Sequence, residues 1–255
     1  MAAALGDFFG EIHNSDRTLA FVNRSSPDAV ENLLASLFGE QSIPIEDLMV
    51  SDERTETVVL LEDGEVIAES TVDELLQSVL MVNTDIYKTG ARSLPEISVP
   101  DVLEGLDEMP FRVRGYPASD KEKLLMVAMS RVIERLAAES RGDTLRASFQ
   151  RLSRVTDEQG TERVYQTVGN SATNVDVYGV DDWETPSLPV TVHTGTSAEY
   201  RRSWVVVFTP PEGGRADADH AALVALEDEP NLWDGFWTFR PAFVRRIDRY
   251  IAGSL

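Results

Sequence analysis

The sequence predicts an α/β fold, with α+β as the alternative: a mixed β-sheet with flanking helices, in two packed subdomains. Three observations lead there. From Thr144 to Phe239, apolar strand-like runs alternate with segments of helical periodicity. Val205-Val-Val-Phe208 is a continuous apolar run, as expected of a central strand covered on both faces. Ser119-Asp-Lys-Glu122 reads as a capping box, and after it Leu124, Leu125, Val127, Ala128, Val132, Ile133 and Leu136 recur at helical spacing. This longest helix, running to about Ser140, is the joint between an N-terminal α/β region (1–117) and a C-terminal domain (118–255).

The elements follow in order. Leu5, Phe8, Phe9 and Ile12 suit a short amphipathic helix. Thr18–Val22 reads as a strand. Pro27 opens a helix to Phe38, with Ser26 as N-cap and Gly39 as stop. Ile43–Val50 is extended. Thr57–Leu61 and Val66–Ala68 flank Asp63-Gly64, a two-residue hairpin turn of type I′ character. Thr71 caps a helix to about Val82, with Asp73 and Glu74 in its first turn. Val102–Leu106 is helical and Phe111–Arg114 a short strand. Strands at 144–149, 174–179, 189–193 and 201–208 are joined by a helix near 158–169. A second helix is expected near 217–228, then an aromatic strand or turn at 232–239. Pro241 begins a terminal helix to about 252.

Composition excludes several classes. The chain has no cysteine, so disulfides and thiolate chemistry are absent. No run of 18 apolar residues spans a membrane, and the N-terminus lacks a signal peptide's basic region, so the expected location is the cytoplasm. The net charge is −21, with three lysines (Lys88, Lys121, Lys123) among 23 basic residues. Acidic residues are spread along the chain, the surface expected of a protein from a high-salt cytoplasm, where screening suppresses self-repulsion. The same field opposes direct nucleic-acid binding.

No catalytic signature emerges. His13, His193 and His220 show no metal-ligand spacing, there is no Gly-rich phosphate loop, and Ser148, Ser153 and Ser203 lack the glycines of a nucleophile elbow. Four charged residues resist a surface reading. Glu134 lies beside an apolar helical face and Glu227 ends the run Leu223–Leu226; Arg151 and Arg154, just past strand 144–149, are candidate partners. Trp183, Trp204, Trp233 and Trp237, with Tyr178, Phe236 and Phe239, form an aromatic set that serves either core packing or a ligand wall. Trp183, in an Asp- and Pro-rich loop after a strand, is the least core-like. The cluster Arg245-Arg246-Arg249 suits a helix C-terminus.

Ser130-Arg-Val-Ile-Glu134, Phe149-Gln-Arg-Leu-Ser153, Tyr165, Val175-Asp-Val-Tyr-Gly179, Trp183, Ser203-Trp204 and Leu223-Val-Ala-Leu-Glu227, in that order over residues 119–239, resemble the DICT sensory domain family. Asn23-Arg24, the Leu-Glu-Asp-Gly hairpin, Arg114-Gly-Tyr-Pro117 and Lys121–Leu124 further look like standalone haloarchaeal members. The resemblance implies a sensory role with an undetermined ligand and no catalytic residues. The expectation is therefore a non-catalytic protein that binds a small molecule or environmental signal and relays it to a signalling partner. Its expected ligand site is lined by Arg151, Tyr178, Trp183 and Glu227. No metal is expected and no cofactor is indicated. The alternatives are an acid/base hydrolase or transferase using Glu134 or Glu227, and a protein-interaction scaffold.

Overall fold

The computed structural model describes residues 4–12, 16–23, 43–49, 56–83, 99–114, 123–157, 159–183, 187–211 and 219–255. The expected helix 27–38 and the Ser119–Glu122 capping box lie outside them. Among the described residues there are two sheets. The smaller has four strands: β1 (Arg17–Val22), β2 (Ile45–Leu48), β3 (Thr57–Glu62) and β4 (Glu65–Thr71), in the order β2-β1-β3-β4. β3 and β4 form the expected hairpin. Asp63 and Gly64 both take positive φ (52° and 83°), the backbone that a type I′ turn demands. Thr71 then caps helix α1 (Val72–Asn83) reciprocally: Glu74 N donates to Thr71 Oγ1 at 3.1 Å and Thr71 N to Glu74 Oε2 at 2.8 Å.

The larger sheet has seven strands. β5 (Phe111–Arg114) is one edge, followed in space by β11 (Leu232–Thr238), β10 (Ala221–Glu229), β9 (Ser203–Thr209), β6 (Arg141–Arg151), β7 (Ala172–Val180) and β8 (Thr191–Thr194). β6, β7 and β8 are parallel; β9, β10 and β11 form an antiparallel meander beside them. The β6–β7 crossover carries helices α4 (Arg154–Asp157) and α5 (Gln159–Gly169), as a parallel pair requires. Helix α3 (Lys123–Glu139) lies on the same face as α5; the terminal helix α7 (Pro241–Ser254) covers the other. α2 (Asp101–Glu104) and α6 (Ala198–Arg202) are short connectors.

Side-chain alternation assigns the faces. Leu145, Ala147, Val175, Val177, Val206, Phe208, Leu223, Trp233 and Trp237 point to α3 and α5, into a core continuous with Leu19, Phe21, Val58 and Leu60 of the small sheet. Val205, Val207, Ala222, Val224 and Phe236 point to α7, whose Phe243, Val244, Ile247 and Ile251 fill that layer. The proposed joint at 117/118 falls between β5 and α3, and β5, from the N-terminal side, pairs with β11 of the large sheet.

Three element assignments change. Residues 221–229 form β10, not the expected helix. Ala and Leu favour helices in isolation, but this segment lies between β9 and β11, with Ala221 through Ala225 buried. A central strand roofed by helices on both sides buries small and aliphatic residues on each face, and that context overrides propensity. Arg201 and Arg202 belong to α6, so β9 begins at Ser203. The N-terminal turn Leu5–Glu11 is a 3-10 helix, in which residues three apart align. Leu5 and Phe8 are accordingly both buried, and Glu11, next in that row, meets Arg246.

Candidate functional site

The C-terminal ends of β6, β7 and β8 and the β10–β11 turn share one end of the large sheet. The polar side chains gather there. β6 loses register with β7 between Ser148 and Arg151, and within that irregularity Gln150 adopts φ 58°. A non-glycine residue with left-handed backbone costs about 1–3 kcal/mol and is held only by its surroundings. What holds Gln150 is a pair of charged groups. Its Nε2 donates to Glu227 Oε2 at 3.1 Å, and its Oε1 accepts from Arg154 Nη1. Glu227 Oε1 in turn accepts from Asn231 N at 2.8 Å, closing the β10–β11 turn, in which Asn231 also has positive φ (64°). A second bulge falls in β10 between Glu227 and Glu229.

Arg154 begins α4. Burial pushes its guanidinium below the ordinary arginine range, and the field of Glu227 pulls it partly back. Among the described residues Arg154 makes no direct ion pair; its hydrogen bond goes to the neutral Gln150. Beside it, Asp182 ties β7 to the β6–α4 turn, accepting from Ser153 N and from Ser153 Oγ, both at 2.9 Å. Arg151 Nη1 stands 3.7 Å from Asp182 Oδ2, with its side chain 69% exposed. Trp183 follows Asp182 and is half-buried against the α3/α5 core. The end of the sheet thus presents two guanidiniums, one indole and a carboxylate–amide brace.

Of the four expected site residues, the structure brings Arg151, Trp183 and Glu227 to this end. Tyr178 lies on the opposite, α7 face of β7. There its ring stacks on His193 at 4.5 Å, and its hydroxyl accepts from Arg146 Nη1 at 3.1 Å. Arg146 also pairs with Asp176 (2.5 Å) and Asp248 (2.8 Å), and Asp176 meets His193 Nε2 at 2.8 Å. That cluster joins β6, β7, β8 and α7, and every charge in it has a partner. The physical reason is strand parity: Tyr178, an odd number of residues from Val175 and Val177, must face away from the α3/α5 side.

Glu134 finds its partner elsewhere than the sequence suggested. Neither Arg151 nor Arg154 reaches it; Arg131, one turn earlier on α3, does, at 2.5 Å. The Arg131 Nη2 donates to Thr161 Oγ1 at 2.8 Å, and the Tyr165 hydroxyl lies against the carboxylate without good hydrogen-bond geometry. Burial pushes the Glu134 carboxyl up, against the pull of Arg131. With 2% of its side chain exposed, Glu134 is sealed between α3 and α5. Ser148 and Ser203 are buried and bonded to each other (2.5 Å between hydroxyls). Among the described residues no cluster of three or more His, Asp or Glu could hold a metal ion, and no helix is long and apolar enough to cross a membrane. A small cleft between Ile43, Met109, Phe111, Leu125 and Trp237 is apolar throughout and offers no polar anchor.

Of the residues that meet here, Arg154 carries a sequence signal as a carboxylate partner; Gln150 and Asp182 carry none. The bulge that makes Gln150 matter has no local sequence signal.

Comparison with known proteins places these observations. A search of curated proteins finds no match. Among solved structures the chain is similar to a polyphosphate kinase from Porphyromonas gingivalis, at 12% identity and a TM-score of 0.34, over 97% of this chain and 47% of that one. The chain thus spans about half the length of that kinase, and a likeness so weak carries no argument. Residues 102–227 match the family model described as a sensory domain in diguanylate cyclases and two-component systems, the DICT family. The match runs from α2 to Glu227 itself, so the strand-end residues Gln150, Arg151, Arg154, Asp182, Trp183 and Glu227 all lie within it. This segment of the chain belongs to the DICT family of sensory domains.

Proposed function

We propose that the protein is a non-catalytic cytoplasmic sensor that binds a small anionic molecule at the strand-end site and passes the bound state to a signalling partner. The observation that carries this reading is Arg154: a solvent-accessible cation, positioned by Gln150 and lacking a direct carboxylate partner among the described residues. In a chain of net charge −21, and with Glu227, Asp157 and Asp182 nearby, the guanidiniums of Arg154 and Arg151 are the cationic groups of this site that an anion could meet. Arg154 and the exposed Arg151 supply charge-assisted donors, Trp183 a flat apolar wall, and Glu227 fixes Gln150 and through it the Arg154 fork. Glu227 holds the site together and does not contact the ligand. The family supports the sensory role.

The test is a thermal-shift screen of phosphates and carboxylates in molar KCl, starting with inorganic phosphate. A ligand at about 100 times its Kd stabilises by about 2.7 kcal/mol. The expected result is a ligand whose shift is abolished by Arg154→Ala and weakened by Trp183→Ala. A ligand bound equally well by wild type, Arg154→Ala, Arg151→Ala and Trp183→Ala would place the site elsewhere.

A further inference from the structure

The strand-end site and the N-terminal turn are joined by one short element. α6, five residues long, bonds to both. At its C-terminal end Arg202 Nε donates to the Glu227 carbonyl oxygen at 2.7 Å, and Arg202 Nη2 donates to the Asp228 carbonyl oxygen. These carbonyls sit on the β10 bulge, beside the Glu227 carboxylate that braces Gln150. At the other end Glu199 Oε1 accepts from Leu5 N at 2.8 Å, and both its carboxylate oxygens accept from Tyr250 Oη, at 2.8 and 2.9 Å. Between them Tyr200 is buried in the α7 layer and fixes the middle of the element. Its ring fills the space over Gly195, where an added Cβ would come within 2.3 Å of Tyr200 Cε2.

The far end of this connection is a clasp. The N-terminal turn lies over α7, with Phe8 edge-on to Phe243 (5.8 Å) and Tyr250 (5.7 Å), and Phe9 edge-on to Phe236 (5.0 Å). Arg246 closes it with two bonds of 2.5 Å to the Glu11 carboxylate. In its first turn, Leu5 N is tied to α6 by the bond to Glu199.

We infer that α6 is a lever coupling the strand-end site to the clasp. A change in the Glu227 brace shifts the bulged carbonyls that Arg202 grips, turns α6 about Tyr200, and alters the hold of Glu199 on Leu5 and Tyr250. The inference rests on the reading of the strand end as the sensing site, but its test needs no ligand. It assigns the N-terminal turn and the α7 surface beneath it as the part that changes when the site is occupied.

Hydrogen exchange of the full chain reads the clasp through the amides of residues 5–11. Glu227→Gln keeps side-chain size and replaces one accepting oxygen with an NH2 donor, so the bonds from Gln150 and Asn231, each to its own oxygen, cannot both be kept in place. It is expected to raise exchange across 5–11 about tenfold, the scale of one bond to a charged acceptor. In an Arg202→Ala background the same substitution should add nothing. Glu199→Gln is the control that loosens the clasp directly. If Glu227→Gln leaves 5–11 at wild-type exchange while Glu199→Gln raises it, the lever does not exist. An equal effect of Glu227→Gln with and without Arg202 also overturns it, since the route then bypasses α6. Phosphate binding lost on Arg154→Ala reports on the sensing site alone, so the two readings can fail separately.

Discussion

Arg131 and Glu134, three residues apart on one helix, form an ion pair of 2.5 Å with side chains only 6% and 2% exposed. An isolated charge at that depth is costly, so each residue stabilises the fold by removing the penalty of the other. Glu134→Ala leaves a buried guanidinium and is expected to cost about 3–5 kcal/mol. The double substitution Arg131→Met with Glu134→Leu replaces the pair with apolar volume and should lie within about 1–2 kcal/mol of wild type. Urea denaturation of the three proteins checks this. A double mutant as unstable as the single would mean that the pair does more than satisfy itself.

The N-terminal clasp should open at both ends of the pH scale. Its bond with Arg246 holds the Glu11 carboxyl below the ordinary carboxylate range. A depressed folded-state pKa gives stability present above the unfolded value and lost as pH falls, so the Glu11 closure weakens in acid. Tyr250 works in the other direction. Burial, then its bond to Glu199, pushes its hydroxyl up to about 12. A raised pKa gives stability present below the unfolded value of about 10 and lost as pH rises toward 12. Exchange at residues 5–11 should therefore be slowest between these limits. Glu11→Gln should remove the acid limb and Tyr250→Phe the alkaline one.

Gly235 sits on β11 opposite Phe111 of β5 and Ala225 of β10. An added Cβ would lie 2.3 Å from Phe111 Cζ and 3.0 Å from Ala225 Cβ. Gly235→Ala should thus cost about 1–3 kcal/mol through overpacking. Much of that cost should disappear when Phe111 is shortened to Leu, a non-additivity of about 0.5–3 kcal/mol in a double-mutant cycle. Additive costs would show that β5 does not pair with β11 as described, and would detach the N-terminal region from the large sheet.

Much of this architecture is legible in the chain because local chemistry and tertiary context agree there. Asp63-Gly64, the Thr71–Glu74 box and Pro241 each specify a backbone conformation by themselves, and each element forms where they indicate. Legibility fails where context decides. β10 has a helix-former's composition and becomes a strand only because β9 and β11 flank it and helices cover both its faces. The site divides in the same way. That Arg151 and Trp183 follow expected strands is a sequence fact, and it brings them to one end of the sheet; Glu227 joins them only because its segment is the strand β10 and not the expected helix. Which face Tyr178 takes follows from parity with Val175 and Val177, and could have been worked out. Gln150 could not: its role depends on a bulge created by the pairing of β6 with β7 and on a carboxylate 77 residues away.

Salt should stabilise the protein by screening. A net charge of −21 with three lysines makes the compact state repel itself in dilute buffer. The Debye length falls from about 10 Å at 0.1 M to about 3 Å at 1 M, so most of that repulsion is removed within this range. The sealed Arg131–Glu134 pair should respond little, because ions do not reach it. Melting followed by far-UV circular dichroism from 0.1 M to multimolar KCl is therefore expected to show a rise in Tm that is steepest below about 1 M and flattens above. A rise that continues linearly to multimolar salt would point instead to exclusion of salt from the protein surface. An unchanged Tm across the whole range would mean that the acidic surface carries no habitat signal, and the high-salt reading of the composition would fall with it.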